Sequence, residues 1–163
     1  MENEEELHMM KNKMLLLVLV IALMAALTVG CNGTTPDEKG FKDGHYFAMD
    51  DKFSETSGWK STVMFEVVGG KIKDLDWNAV SIKGGLDKKT ASIEGKYPMV
   101  EVGGAQATWH EQAEKVEAYL LDKQDPKDIN YSDDEGHTDA IAGVSVHVND
   151  FFGLAEEALA NAK

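Results

Sequence analysis

The chain contains no arginine: all 16 of its basic residues are Lys, set against 29 Asp and Glu, for a net charge of −13 at pH 7. A surface of that sign repels nucleic acid and anionic lipid headgroups, so nucleic-acid binding is excluded as a function. Cysteine is almost absent as well. The single thiol, Cys31, rules out an internal disulfide. No internal repeat is visible. Nowhere do two glycines flank a serine in the GxSxG pattern that a hydrolase elbow needs for its strained turn, and no oxyanion-type glycine run is present. The acidic stretch Asp133, Asp134, Glu135 lacks the ligand spacing of a calcium loop.

What is present begins with an apolar run. Met14 to Val29 carries no charge, Gly or Pro, is preceded by Lys11 and Lys13, and leads directly into Gly30 and Cys31. A spanning helix needs roughly 20 apolar residues, so this run is short for a permanent anchor and suits a secretory leader. The residues LTVGC resemble the lipobox of bacterial lipoproteins, with Thr28 in place of the usual Leu. That resemblance implies cleavage before Cys31 and lipidation of its thiol, placing the mature protein on the outer face of a bacterial cell membrane, held by a lipid anchor. More than one acyl chain on the cysteine is what makes such an anchor stable. The acidic prefix MENEEELHM has the wrong sign for an export segment, and translation is expected to start at Met9 or Met10. Removal of residues 1–30 takes four Glu and two Lys with it and leaves a net charge of about −11.

Residues 31–42 are rich in Gly, Thr, Pro and charge without periodicity, as expected of a lipidated tether, and residues 43–163 form the folded domain. A strand is predicted near His45–Met49. In STVMFEVVGGKIKDLDW, Val63, Phe65 and Val67 alternate with outward residues, Gly69-Gly70 supplies a turn and Ile72 opens a return strand. Residues 78–106 are rich in Gly and Lys and read as loop with short strand pieces. Thr108–Lys123 reads as a helix: Thr108 and Glu111 form a capping box, Trp109, Ala113, Val116 and Leu120 fall on one stripe, and Asp125-Pro126 ends it. After an acidic loop come a strand-like VSVHV and a second helix capped by Asn149, with Phe152, Ala155, Leu159 and Ala162 on one face. The fold class is α+β: a small twisted antiparallel sheet with two packed helices.

The chemistry centres on one hydroxyl. Ser145 lies in DAIAGVSVHVNDF, just ahead of the second helix. His147 stands where a hydrolase elbow has its second glycine, and the β-branched Val144 and Val146 disfavour that turn, so a serine nucleophile is set aside. A capping or turn hydroxyl is the plain alternative.

Further residues point elsewhere. DAIAGVS resembles the attachment motif of the FMN-binding domain family, Asp-x-x-Ser/Thr-Gly-Ala-Ser/Thr, found in sodium-pumping NADH:quinone reductase subunits and flavinylated bacterial lipoproteins. Asp139 matches the motif's acid, Gly143 its glycine and Ser145 its acceptor. Ala142 departs from the common Ser or Thr, and Val144 from the common Ala. KDGHY, the Gly69-Gly70 hairpin, GGAQATWHEQA and the closing segment resemble lipoprotein members of this family involved in extracellular electron transfer. The resemblance implies FMN held to Ser145 as a covalent phosphoester, installed by an FAD:protein FMN transferase that recognises Asp139 and Gly143, with Ile141, Val144 and Trp109 beside the cofactor. It also implies a membrane quinone-linked electron donor. On this reading the protein is an electron-transfer flavoprotein domain rather than a catalyst on its own.

Physical chemistry fits that assignment. A phosphate just ahead of a helix meets unpaired amides and the positive end of the helix dipole, and tethering keeps a flavin from being lost by dilution outside a cell. Asp150 opposes it by competing for the same amides. Trp109 is expected either to stack on the flavin or to lie in the core. His110 and Glu114 read as a solvated helix face, and His137 and His147 as loop and strand surface or hydrogen-bond donors to the phosphate. The competing reading is a non-redox ligand-binding or adhesive lipoprotein that keeps the fold without flavin. The leader, on either reading, is a potential source of a pheromone peptide.

Overall fold

The computed structural model describes residues 40–162; the predicted leader, the predicted lipidation site Cys31 and most of the predicted tether lie outside the described residues. Ahead of the first strand, Phe41 N donates to Gly70 O at 3.2 Å and Lys42 N to Ala162 O at 2.7 Å. None of the described helices is long and apolar enough to cross a membrane.

Three strands form an antiparallel meander in the order β1 (Gly44–Met49), β2 (Trp59–Val68), β3 (Lys71–Ser81). Alternation decides the inner face. Val63, Phe65 and Val67 are all buried, and the Gly69-Gly70 turn has positive φ at both residues, 59° and 75°, as a tight two-residue hairpin requires. On β3 the buried set is Ile72, then Leu75, Trp77 and Ala79. A strict period of two would send Ile72 and Leu75 to opposite faces. The register between β2 and β3 shifts there, Met64 facing Asp76 but Glu66 facing Lys73, and Asp74 takes φ 44°. This bulge inserts one residue into β3 and returns the apolar set to the core side.

Three helices follow: α1 (Lys88–Ile93), α2 (Trp109–Lys123) and α3 (Asn149–Ala160). Helix α2 packs on β3, α3 on β1 and β2, and α1 on both β3 and α2. The stripe Trp109, Ala113, Val116, Leu120 is buried as its spacing predicts, and so are Phe152, Ala155, Leu159 and Ala162. The α+β class, an antiparallel sheet with packed helices, is therefore the observed one.

Three local expectations are corrected. Residues 78–106 hold the end of β3 and loop, as expected, but also the unpredicted helix α1; Asp87 caps α1 by accepting from Thr90 N at 2.9 Å. The segment VSVHV forms no strand, because its amides pair with a side chain of α2 instead of a ladder. Asn149 is the first residue of α3 and not its cap; Val148 occupies the cap position and offers no side-chain hydrogen bond. Helix α2 stops at Gln124, in the left-handed region at φ 60°, one residue before Asp125-Pro126. The Gln124 carboxamide then accepts from Ile72 N at 2.7 Å and donates to Ile72 O at 3.1 Å, fastening α2 to the start of β3.

A charged knot joins the other end of β3 to the helices. Lys89 Nζ of α1 lies 2.5 Å from Asp76 and 2.7 Å from Glu117 of α2, and Glu117 Oε1 also accepts from Trp77 N at 2.7 Å. Burial pushes the Glu117 carboxyl above its ordinary range, against the pull of Lys89 and the Trp77 amide. Burial works the other way on Lys89, but hydrogen bonds and charge from Asp76 and Glu117 outweigh it and raise its pKa. Removing one partner from such a group costs far more than the pair contributes. Glu117→Ala orphans the buried Trp77 amide and leaves Lys89 with Asp76 as its one carboxylate, and should destabilise the fold by about 3–5 kcal/mol. Glu117→Gln keeps the acceptor and should cost roughly 1 kcal/mol. Urea titration of the two variants measures the difference, and a loss below about 1 kcal/mol in Glu117→Ala would mean that the knot carries no structural role.

Candidate functional site

Ser145 is exposed and sits in an irregular turn between Ile141 and α3. The turn is held by its apolar members: Ile141 is 8% exposed within the core, and Val144 and Val146 are half-buried against it. Asp139, by contrast, is exposed at the start of the turn. Gly143 has φ 74°, where a side chain would be strained, and a Cβ there would lie 2.6 Å from Lys115 Nζ. That ammonium, from the exposed side of α2, is 3.4 Å from Gly143 O. One cation therefore stands beside the hydroxyl-bearing turn of a strongly acidic protein.

The turn's polar backbone is satisfied by a residue that no motif had marked. Gln112, 1% exposed and one turn along α2 from Trp109, accepts from Ser145 N at 2.7 Å and Val146 N at 3.2 Å, while its Nε2 donates to Ala107 O at 2.9 Å. Ser145 Oγ is only loosely held, 3.4 Å from the same oxygen. These two amides are therefore already paired; the amides expected to meet a phosphate are those of the first turn of α3, ahead of which Ser145 lies. A polar residue inside the buried stripe of α2 was the one available signal.

Trp109 is 2% exposed and packs edge-on to Trp77, 5.2 Å between centroids. Trp77 in turn meets Phe151 of α3 at 5.1 Å, and its Nε1 is buried with no hydrogen-bond partner among the described residues. Such a donor costs about 1–3 kcal/mol. Trp109 is also covered by Lys88, whose Nζ lies 4.7 Å from its ring centroid, 5.1 Å from Tyr97 and 5.9 Å from Trp59. Trp59 and Tyr97 meet edge-on at 5.9 Å. The electron-rich ring faces attract the ammonium. Burial nevertheless dominates and brings the Lys88 pKa down from 10.5 to about 8, with the charge of Asp150 pulling it back up. Asp150 is itself raised, first by burial and then by the charge of Asp50, while His147 and Lys88 lower it. Neighbouring turns of a helix bring side chains within about 5–6 Å of each other. Gln112, which holds the Ser145 and Val146 amides, and Trp109 are so related.

The remaining predicted residues separate. His110 does not pair with Glu114 on a solvated face; it is half-buried, and its Nδ1 lies 2.9 Å from Ser92 Oγ of α1. His137 and His147 come together, with ring centroids 4.2 Å apart. An open cleft of about 530 Å³ lies beside them, lined by Tyr131, Ser132, Asp133, Asp134, Gly136 and Asn149.

The residues around Ser145 meet two requirements of a phosphoester-linked FMN: a free, exposed hydroxyl and a cation beside it.

Lys88 gives a test of the aromatic group's interior character. Between pH 8 and 10 the unfolded chain keeps the Lys88 proton and the folded chain releases it, so this residue's contribution to stability rises with pH. Above pH 10 Tyr97, whose pKa burial raises, acts in the opposite direction. Denaturation of wild type and Lys88→Met should show wild type gaining roughly 2–3 kcal/mol on the variant from pH 7 to pH 10. A difference independent of pH would show that Lys88 titrates as an ordinary solvated lysine.

Neither a family model nor a curated protein matches the sequence. Among solved structures, the chain is similar to a protein from Clostridium thermocellum determined by solution NMR, with 61% identity over 75% of this chain and 92% of that one and a TM-score of 0.58. It is also similar to a Clostridium perfringens protein determined by crystallography, with 25% identity, 75% and 88% coverage and a TM-score of 0.58. At the identity and coverage of the first comparison, the chain belongs to the family of the Clostridium thermocellum protein.

Proposed function

We propose that this protein is a lipid-anchored extracellular electron carrier, with FMN joined through its phosphate to Ser145. The observation that carries the reading is the Ser145 turn: an exposed hydroxyl, weakly held, next to the Lys115 ammonium, on a segment whose Gly143 adopts positive φ as the attachment motif's glycine would. FMN, when attached, supplies the redox chemistry, and the protein supplies position and electrostatics. Lys115 balances phosphate charge. Gln112 fixes the turn so that the hydroxyl points outward. Asp139 and Gly143 are the elements a FMN transferase would recognise, with Ile141 and Val144 holding the turn against the core. Trp109, 2% exposed, underlies the group, and the half-buried Trp59 and Tyr97 beside it offer the aromatic surface for a flavin ring. The partners are the FMN transferase, a membrane quinone-linked donor, and the outer face of the bacterial membrane reached through lipid on Cys31.

A second reading is favoured by one specific observation. Gln112 already satisfies the amides of Ser145 and Val146, so the turn is complete without a phosphate. Together with Ala142 and Val144 in the motif, this suits a non-redox lipoprotein that retains the fold for ligand binding or adhesion.

Co-expression with an active FAD:protein FMN transferase separates the two. The electron-carrier reading expects an intact-mass gain of one FMN less one water, yellow colour that survives denaturation, and loss of both in Ser145→Ala. Unmodified Ser145 in that co-expression, with the transferase shown active on another substrate, would leave the non-redox reading.

A further inference from the structure

The turn carrying Ser145 is bracketed by two histidines that the fold brings into contact. Val148 N donates to Gly136 O at 2.8 Å, pinning the residue before His137 to the residue after His147. Gly136 is required at this crossing: its φ is 92°, and a Cβ would collide with the Asn149 side chain. The imidazoles meet edge to face, 4.2 Å between centroids. Glu135 joins them from the same side, its carboxylate 3.9 Å from His147 Nε2. One donor atom from each of Glu135, His137 and His147 can be chosen so that all three lie within 4.8 Å of one another.

Asp133 adds the detail that gives this cluster direction. Its Oδ2 lies 2.5 Å from His137 Nδ1, while its Oδ1 accepts from the amides of Glu135 and His137, each at 3.0 Å. The carboxylate is therefore fixed by backbone and in turn fixes the ring. With Nδ1–H donated to Asp133, Nε2 is the nitrogen of His137 left with a lone pair. A carboxylate on the far nitrogen of a histidine is the outer-sphere arrangement that orients metal-binding imidazoles and raises their basicity.

We propose that Glu135, His137 and His147 form a binding site for a divalent transition metal of the zinc class, with Asp133 as the group that positions His137. Two imidazoles and one carboxylate match the borderline character of zinc, whereas calcium and magnesium select all-oxygen shells. Three protein ligands leave a fourth position to water or an incoming group. Bonds of about 2.0–2.2 Å require the donors to draw roughly an ångström closer. The side chains are free to do so, since those of His147 and Glu135 are 56% and 74% exposed. Closure of this site clips together the two ends of the turn that presents Ser145, restricting it without touching its hydroxyl. The site does not depend on flavin.

The test is calorimetric titration of zinc chloride into the full-length protein, made without a histidine tag and stripped with chelator. One zinc per chain is expected. His137→Ala and His147→Gln should each weaken binding by at least about 10–100-fold, and Asp133→Asn by a similar factor through His137. Ser145→Ala should bind as wild type. Cobalt in place of zinc should give the intense visible bands of a four-coordinate ion, lost in His147→Gln, while thermal melts of the metal-free variants confirm that each is folded. Absence of saturable zinc binding, equal affinity in the histidine variants, or equal binding of magnesium would each overturn the proposal.

Discussion

One buried carboxamide governs how this domain presents its chemistry. The chain from Ile141 to Val148 joins no ladder and no helix, yet it runs against the core, where unpaired amides are expensive. Gln112 resolves this by accepting from two consecutive amides while donating to Ala107 O, the backbone just before its own helix. A single side chain thereby sets the height of the Ser145 turn over α2. Ile141 and Val148, both buried, hold the turn's flanks, so the hydroxyl is left on the outside by elimination.

Around that turn the protein places unlike environments side by side. Towards Lys115 the surface is polar and carries a positive charge, a local exception on a strongly acidic molecule. One turn along α2 from Gln112, Trp109 belongs to an aromatic group that covers the Lys88 ammonium, and Asp150, whose pKa burial raises, acts on that ammonium. Across the base of the turn lie two imidazoles and two carboxylates. Clusters of perturbed or convergent ionisable groups concentrate at functional sites, although structural ion pairs such as Lys89–Glu117 produce them too. The difference lies in the anchoring: Lys89 and Glu117 tie β3 to two helices, whereas the histidines tie only the two ends of one loop.

Several elements were legible because their periodicity is a local property. Val63, Phe65 and Val67 on β2, the Gly69-Gly70 turn, and the stripe from Trp109 to Leu120 all follow from spacing and from the conformations that Gly permits. Helix α1 was not, since six residues of KKTASI carry too short a pattern to separate from loop; its formation rests on the Asp87 cap and on packing against β3 and α2. VSVHV misled for the opposite reason. Its alternation is that of a strand, but Gln112 takes the amides of Ser145 and Val146, and Gly136 O takes that of Val148.

The sequence by itself determined the class of fold, the single thiol after an apolar run, the excess of negative charge, and the position of a hydroxyl in a segment that resembles a flavin-attachment motif. These depend on residue type and near-neighbour spacing, which the chain carries before it folds. Tertiary structure alone decided that Gln112 supports Ser145, that Lys88 lies over Trp109, and that His137 meets His147. Each joins residues from separate turns or elements, and their meeting is fixed by where the core lets the chain cross itself, as at Gly136 and Val148.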